Sequence, residues 1–259
     1  MEQLVYDGSF EGFLTVVFEC YARKMNPVDI CSKENRFNLF AESHYVDTDI
    51  VKADRVWKGM RKRLNGRNQD LPLFSFLSEL PGIEMKLYNF ARLLFDSTHM
   101  VETDYGNPVV LDLVKIERKV KKDAMRILQF VRFQKTKDDM FYAPVEPESN
   151  VLPLAISHFK SRFADQHWLL YDIKRDYGFF YDLHNVHEVS LVEKSFSEDG
   201  QLSENLLAEE EAVYQSLWQD YYKHINIKER KNLKLQRQHM PRRYWKFLPE
   251  KQRYKTNDD

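Results

Sequence analysis

The repeat distance between apolar residues changes about halfway along this chain, and that change limits the fold more than any other feature. Up to about residue 123 the apolar positions recur at three- and four-residue steps, the repeat of a helix with one buried face. Phe10, Phe13, Leu14, Val17, Tyr21 and Met25 make one such stripe. A turn at Asp7-Gly8-Ser9 leads into it, where Asp7 or Ser9 can cap the first amides, and Asn26-Pro27 ends it. Further helices are expected over 49–64, 73–80 and 84–95, and Pro108 opens one that runs to about 122. A short strand over 4–6 and a weaker strand-like interval over 37–46 interrupt this helical half.

From residue 125 the pattern alternates. Strands are expected over 125–134, 140–145, 167–173, 179–183 and 186–192, with turns at Asp138-Asp139, Asp176-Tyr177-Gly178 and His184-Asn185. Hairpin-length links make neighbouring strands antiparallel. Ser149 or Asn150 is placed to cap a helix over 151–164, with Pro153 in its first turn. After a polar loop over 195–203, a long amphipathic helix is expected over 204–225, its apolar side formed by Leu207, Tyr214, Leu217, Trp218, Tyr221 and Ile225. The expected class is α+β: an antiparallel sheet of about five strands in the second half, covered by helices from both halves. We read residues 1–259 as a single globular unit. It has a mainly helical part over 1–123, a sheet-containing part with the long helix over 124–225, and a basic aromatic segment over 226–259.

Composition agrees with a folded chain, since 43% of the 259 residues are hydrophobic and 14% aromatic. Charge is more informative. The formal net charge is -1, from 39 Lys+Arg and 40 Asp+Glu, a balance that by itself argues against a polyanion partner. The average hides a segregation. Residues 1–222 hold 27 basic and 36 acidic residues, whereas 223–255 hold 12 basic and 2 acidic. The chain thus has an acidic body and a strongly basic C-terminal stretch.

The opening MEQLVYDG has neither a basic segment nor an apolar one, so no signal peptide is expected, and no apolar run approaches the roughly 20 residues of a membrane span. Cys20 and Cys31 make neither a disulfide framework nor a CxxC pair, and Cys20 falls in a helical apolar pattern that suits a buried thiol. A reducing cytoplasm fits. Walker, GxGxxG and GxSxG motifs are absent, as is the CxxxCxxC of radical-SAM enzymes. No cofactor and no metal site is expected.

Three groups of residues can carry chemistry. In HMPRRYWKFLPEKQRYK, cations interleave with Tyr244, Trp245 and Tyr254. Cations attract phosphate and flat rings stack on unpaired bases, so Arg242, Arg243, Tyr244, Trp245 and Lys246 are candidate contacts for a single strand or a flipped base. The same residues can instead pair internally with the acidic 209–211 region, with Tyr244, Trp245, Phe247 and Leu248 pinning the terminus to the core. Alternation over 125–134 places Arg126 and Arg132 together on a largely apolar face. Two such arginines require an anion, either a protein carboxylate such as Asp172 or Glu146, or a phosphate. Finally, Glu146 and Glu148 precede a helix on which His158 and Arg162 lie four residues apart. With Asp165, His167, Asp172 and Asp182 near in sequence, Glu146, His158 and Asp172 are weak acid–base candidates, and Arg162 a further phosphate contact. Taken one at a time, such residues ordinarily hold turns and ion pairs.

Several strings taken together, YDGSFEGFLTVVFE, LQFVRFQ, EPESNVLPLAISHFKSRFADQHWLLYDIKRDYGFFYD and HMPRRYWKFLPEK, resemble a bacterial family described as DNA metabolism or DNA repair proteins. The resemblance is collinear over almost the whole chain and densest over 124–251. It implies a radical-SAM partner described as a DNA modification or repair enzyme, and a related domain is also fused to uracil-DNA-glycosylase-like modules. It assigns no catalytic residues. Three readings follow: a nucleic-acid-binding accessory protein in DNA repair or modification, an enzyme acting on DNA or a nucleotide base by acid–base chemistry, and a protein-interaction scaffold without DNA contact.

Overall fold

The computed structural model describes residues 2–34, 42–66, 68–191, 197 and 200–251. The chain folds as two units, Met1–Lys121 and Lys122–Asp259.

In the first unit, β1 (Glu2–Tyr6) leads into α1 (Phe10–Arg23), followed by β2 (Asp29–Ser32), β3 (Glu42–Tyr45), α2 (Ile50–Arg63), α3 (Leu71–Phe76), α4 (Ile83–Asp96) and the start of α5 (Pro108–Phe130). Ser9 caps α1, its hydroxyl accepting from the Gly12 amide at 2.9 Å, while Asp7 accepts from the Ser9 amide at 2.9 Å. The strands form a parallel sheet in the order β2-β1-β3, with Leu4 opposite Ile30 on one side and His44 on the other. Leu4, Val5 and Tyr6 are all buried, as the central strand of a sheet covered on both faces must be. Four-residue β2, DICS, carries no alternation to betray it. Of the interval expected over 37–46, β3 accounts for 42–45, and 37–41 lie outside the described residues.

The second unit contains the last turns of α5, then β4 (Gln134–Lys135), β5 (Phe141–Val145), α6 (Leu152–Arg162), β6 (Trp168–Asp172), β7 (Tyr177–Tyr181), β8 (Val186–Val189), α7 (Glu211–His224) and α8 (Leu233–His239). Short 3-10 turns over Arg242–Phe247 and Pro249–Lys251 close the described chain. The five strands make one sheet in the order β4-β5-β6-β7-β8. The α+β class with a five-stranded sheet in the second half therefore holds, with one difference: β5 and β6 are parallel, because α6 crosses over between them. The pairings β4–β5, β6–β7 and β7–β8 are antiparallel. One face packs Phe133, Phe159, Phe163 and Tyr181 around the buried Trp168. The other gathers Tyr142, Leu169 and Tyr171 under Met140, Ile173, Phe180, Val189, Leu191 and Leu202.

Three sequence expectations are corrected. Residues 125–130 are helix rather than strand, since α5 continues to Phe130 and only Gln134–Lys135 pair as β4. Buried Val120, Asp123 and Ile127 keep the three- and four-residue spacing, and no glycine or proline intervenes. The alternation that suggested a strand was a thinly apolar helix. Secondly, neither Ser149 nor Asn150 caps α6: its N-cap is Val151, with no side-chain bond. The Ser149 amide donates instead to Asp123, and the Asn150 side-chain Oδ1 accepts from the Tyr177 hydroxyl. Thirdly, the helix expected over 204–225 begins only at Glu211. Ahead of it, after a 3-10 turn over Glu204–Leu206, the Leu206 carbonyl accepts from the Lys137 amide and the Ala208 amide donates to the Lys135 carbonyl, extending the sheet beside β4. Backbone groups bonded there cannot also serve an α-helix.

Candidate nucleic-acid interface

The basic C-terminal stretch divides into residues that are used inside the second unit and residues that face solvent. The inner set centres on Asp123, a carboxylate on α5 that is 2% exposed. Its Oδ1 accepts from the Tyr244 hydroxyl at 2.7 Å and from the Arg243 guanidinium at 2.7 Å, and its Oδ2 accepts from the Ser149 amide at 3.0 Å. Arg243 also pairs with Glu148. Tyr244 is buried with its ring 5.3 Å from that of Phe130, and burial, reinforced by Asp123, pushes its hydroxyl pKa well above the ordinary value. Lys246 pairs with Glu146 at 2.5 Å. Leu248 and Phe247 are buried beside them. The segment is thus pinned to the body through acids at 123, 146 and 148. Glu211 from the acidic 209–211 region serves elsewhere, accepting from the Lys135 amide at 2.9 Å.

The remaining expected contacts are dispersed. Arg126 lies within α5, its Nε buried without a hydrogen-bond partner. Arg132 follows the helix end and pairs at 2.9 Å with Glu250, which also accepts from the Trp218 indole at 2.9 Å. The two arginines therefore do not share a strand face, and the carboxylate on Arg132 is neither Asp172 nor Glu146. Arg162 ends α6, exposed, over the Phe163 ring.

The acid–base candidates are each engaged separately. Glu146 holds Lys246. Asp172 is fully buried, accepting from the Lys174 and Arg175 amides at 2.9 and 3.2 Å and from the Arg175 guanidinium at 2.8 Å. Burial raises its pKa while Arg175 opposes the rise. His158 is exposed on α6 with its ring 5.4 Å from Phe159. Asp182 fixes its hairpin by accepting from the His184 and Asn185 amides and pairing with His187 at 2.8 Å. Among the described residues, no group of three or more His, Cys, Asp or Glu is placed to hold a metal ion.

Open space occurs where α8 approaches the 3-10 turn over Arg242–Phe247. A cavity of about 590 Å³ lies there, lined by Arg230, Lys231, Gln236, His239, Trp245 and Lys251 among others, none of them acidic. Asn232 caps α8, accepting from the Leu235 amide at 3.0 Å, so the helix presents Gln236 and His239 to this space. The indole of Trp245 is tied to the Met240 carbonyl at 3.0 Å, with the Lys251 ammonium 5.2 Å and the Arg242 guanidinium 5.9 Å from the ring. The Tyr222 hydroxyl accepts from Lys251 at 3.0 Å and from Gln236 at 3.2 Å. A fixed ring beside several cations and amides is a set of groups that suits phosphate oxygens together with a planar, hydrogen-bonding ring. Reading by residue type singled out Trp245 and Arg242 here but passed over Arg230, Lys231, Gln236, His239 and Lys251. Their only signal was membership of the basic run.

Three comparisons bear on what this arrangement belongs to. A family model described as a domain of unknown function, DUF4130, matches residues 81–250, more than half of the chain. No protein of curated function matches. Among solved structures, one titled "pGpG-specific phosphodiesterase - PggH from Vibrio cholrae" aligns over 86% of this chain and 99% of its own, at 11% identity and a TM-score of 0.35. A likeness at that level bears on neither fold nor activity. No described helix is long and apolar enough to cross a membrane.

Proposed function

We propose, from the premise that the chain belongs to the DUF4130 family, that it is a nucleic-acid-binding accessory protein which holds an unpaired stretch of DNA at the cavity beside Trp245. The observation that carries this reading is the cavity lining: Arg230, Lys231 and Lys251 around an indole, with no carboxylate among the lining residues. Phosphates would meet the cations, and a base extruded from its stack or already single-stranded would lie on the ring. The acidic body, with 36 acidic against 27 basic residues over 1–222, would confine contact to this region by repelling DNA elsewhere. The resemblance to DNA repair and DNA metabolism proteins supplies the context, with a radical-SAM enzyme as the partner that performs the chemistry. Arg243, Tyr244 and Lys246 serve in this reading as the anchor that holds the cavity wall, because their polar groups are engaged with Asp123, Glu148 and Glu146.

Fluorescence anisotropy with a labelled oligothymidine and with a labelled duplex tests this on the full chain. Binding is expected to favour the single strand. Its log Kd should rise with log salt with a slope of about 2 to 3, the value for three or four phosphates at roughly 0.7 each. Arg230→Ala with Lys231→Ala should weaken binding about tenfold or more, and Trp245→Leu should weaken it while leaving the salt slope unchanged. No binding of either DNA at 50 mM salt, or affinity indifferent to all three substitutions, would overturn the reading.

A further inference from the structure

Helix α7 is packed the wrong way round for a surface helix. The residues it turns to the body are Glu211, Gln215, Gln219 and Tyr222, spaced i, i+4, i+8 and i+11, and all four make polar contacts. Glu211 accepts from the Lys135 amide and from Gln215, Gln219 donates to the Pro249 carbonyl at 2.9 Å, and Tyr222 accepts from Lys251 and Gln236. About a quarter turn away, Tyr214, Leu217, Tyr221 and Ile225 form an apolar stripe at i, i+3, i+7 and i+11 that is 62%, 61%, 55% and 53% exposed. Val213 at 59% and Ile227 at 49% widen it at its two ends. The sequence builds an amphipathic helix, and the fold then holds it by its polar edge.

We infer that this stripe is the contact face of a homodimer, in which α7 pairs antiparallel with α7 of a second copy. The charges around the helix select that occupant. Glu209 and Glu210 are exposed at its start, while Arg230 and Lys231 are exposed just beyond its end, with His224 in its last turn. Antiparallel pairing about a two-fold axis sets the acidic start of each helix beside the basic end of the other, and it aligns opposite helix dipoles. Parallel pairing would oppose like charges. Six half-exposed apolar side chains, at about 100 Å² each, give on the order of 1,000 Å² over two copies, the lower end of specific interfaces. Such an area suits a dimer that dissociates on dilution.

Sedimentation equilibrium of the full chain over roughly 1 to 200 µM tests the inference. A concentration-dependent shift toward twice the 31.1 kDa chain mass is expected. Leu217→Glu with Tyr221→Glu should hold the chain at monomer mass, and because both positions are exposed its circular dichroism should match that of the parent. Glu209→Lys with Glu210→Lys should shift the midpoint to higher concentration. Cysteine pairing fixes the orientation: Tyr214→Cys chains mixed with Ile225→Cys chains should crosslink to each other under oxidation. In the antiparallel arrangement, Tyr214→Cys chains alone lie too far apart to do so, about 16 Å along the axis. Monomer mass at every concentration, dimers unaffected by the glutamate pair, or self-crosslinking of Tyr214→Cys would each overturn the inference. So would a stripe that sequesters only on anionic vesicles or in an unlike protein while the chain stays monomeric. The charge pairing shares Arg230 and Lys231 with the proposed DNA site, so the two readings are separated by residues they do not share. Leu217→Glu with Tyr221→Glu lies outside the cavity lining and tests the dimer alone, and Trp245→Leu lies outside the stripe and tests DNA binding alone.

Discussion

Asp123 lies among lysines in KKDAM, where its type and surroundings suggest a solvated surface acid. The fold makes it the buried acceptor of three donors, from Tyr244, Arg243 and Ser149. Removing one member of a buried ionic group strands the others without partners. Asp123→Ala should therefore cost about 3 to 5 kcal/mol in urea unfolding, well above an ordinary surface substitution. Gly178 shows a second constraint that residue type alone does not reveal. A Cβ there would meet the Leu170 carbonyl oxygen at 2.5 Å and the Tyr171 Cα at 3.0 Å, both backbone atoms of the adjoining strand. Gly178→Ala should lower stability by about 1 to 3 kcal/mol, whereas Gly66→Ala, with nothing within 4 Å of the added carbon, should change the urea midpoint little.

Among the elements, apolar spacing was legible wherever a helix carried a dense stripe, and capping was legible at α1, where Ser9 caps the helix and the buried Phe13, Leu14, Val17 and Cys20 belong to one face. The Asp49 cap of α2 emerged only in the structure. Strand pairing was legible where a short turn joined two strands, as in β6–β7–β8. It failed where partners are distant in sequence, for β2 and β3 beside β1, because parallel neighbours carry no local signal linking them. The ion pairs between helices belong to this scale. Glu19 on α1 accepts from Lys52 on α2 at 2.8 Å and from Arg23 at 2.7 Å. The Lys52 hydrogen bond holds its carboxyl below the usual value of 4.5, against the opposing effect of burial. A depressed acid stabilises the fold above its unfolded pKa, and that contribution fades as pH falls through the folded one. Lys52→Met should accordingly lower Tm more at pH 7 than at pH 3, which thermal melts at the two pH values would measure.

On the scale of the whole molecule, the basic C-terminal stretch serves its own unit before it can serve any ligand. Tyr244 and Leu248 are 2% and 0% exposed, and Arg243 and Lys246 are bound to carboxylates of the same unit. A chain ending at Met240 should therefore lose the cooperative unfolding of this unit and leave its sheet open to proteolysis, as limited trypsin digestion followed by mass spectrometry would record. Loss of the tail would then abolish the proposed DNA binding by unfolding its support, which is why the exposed Arg230 and Lys231 are the sharper probes of the proposed interface.

The sequence by itself determined the α+β class, most helix positions, the hairpins of the second half and the separation of an acidic body from a basic end. Each of these depends on neighbours a few residues apart or on charge counted along the chain. Only the tertiary structure decided which cations are internal and which line the cavity. It also decided that α5 runs on past residue 125, and that α7 shows its apolar stripe to solvent. Those outcomes turn on contacts such as Asp123 with Arg243 and Gln219 with Pro249, 120 and 30 residues apart, and no local period encodes a partner at that distance.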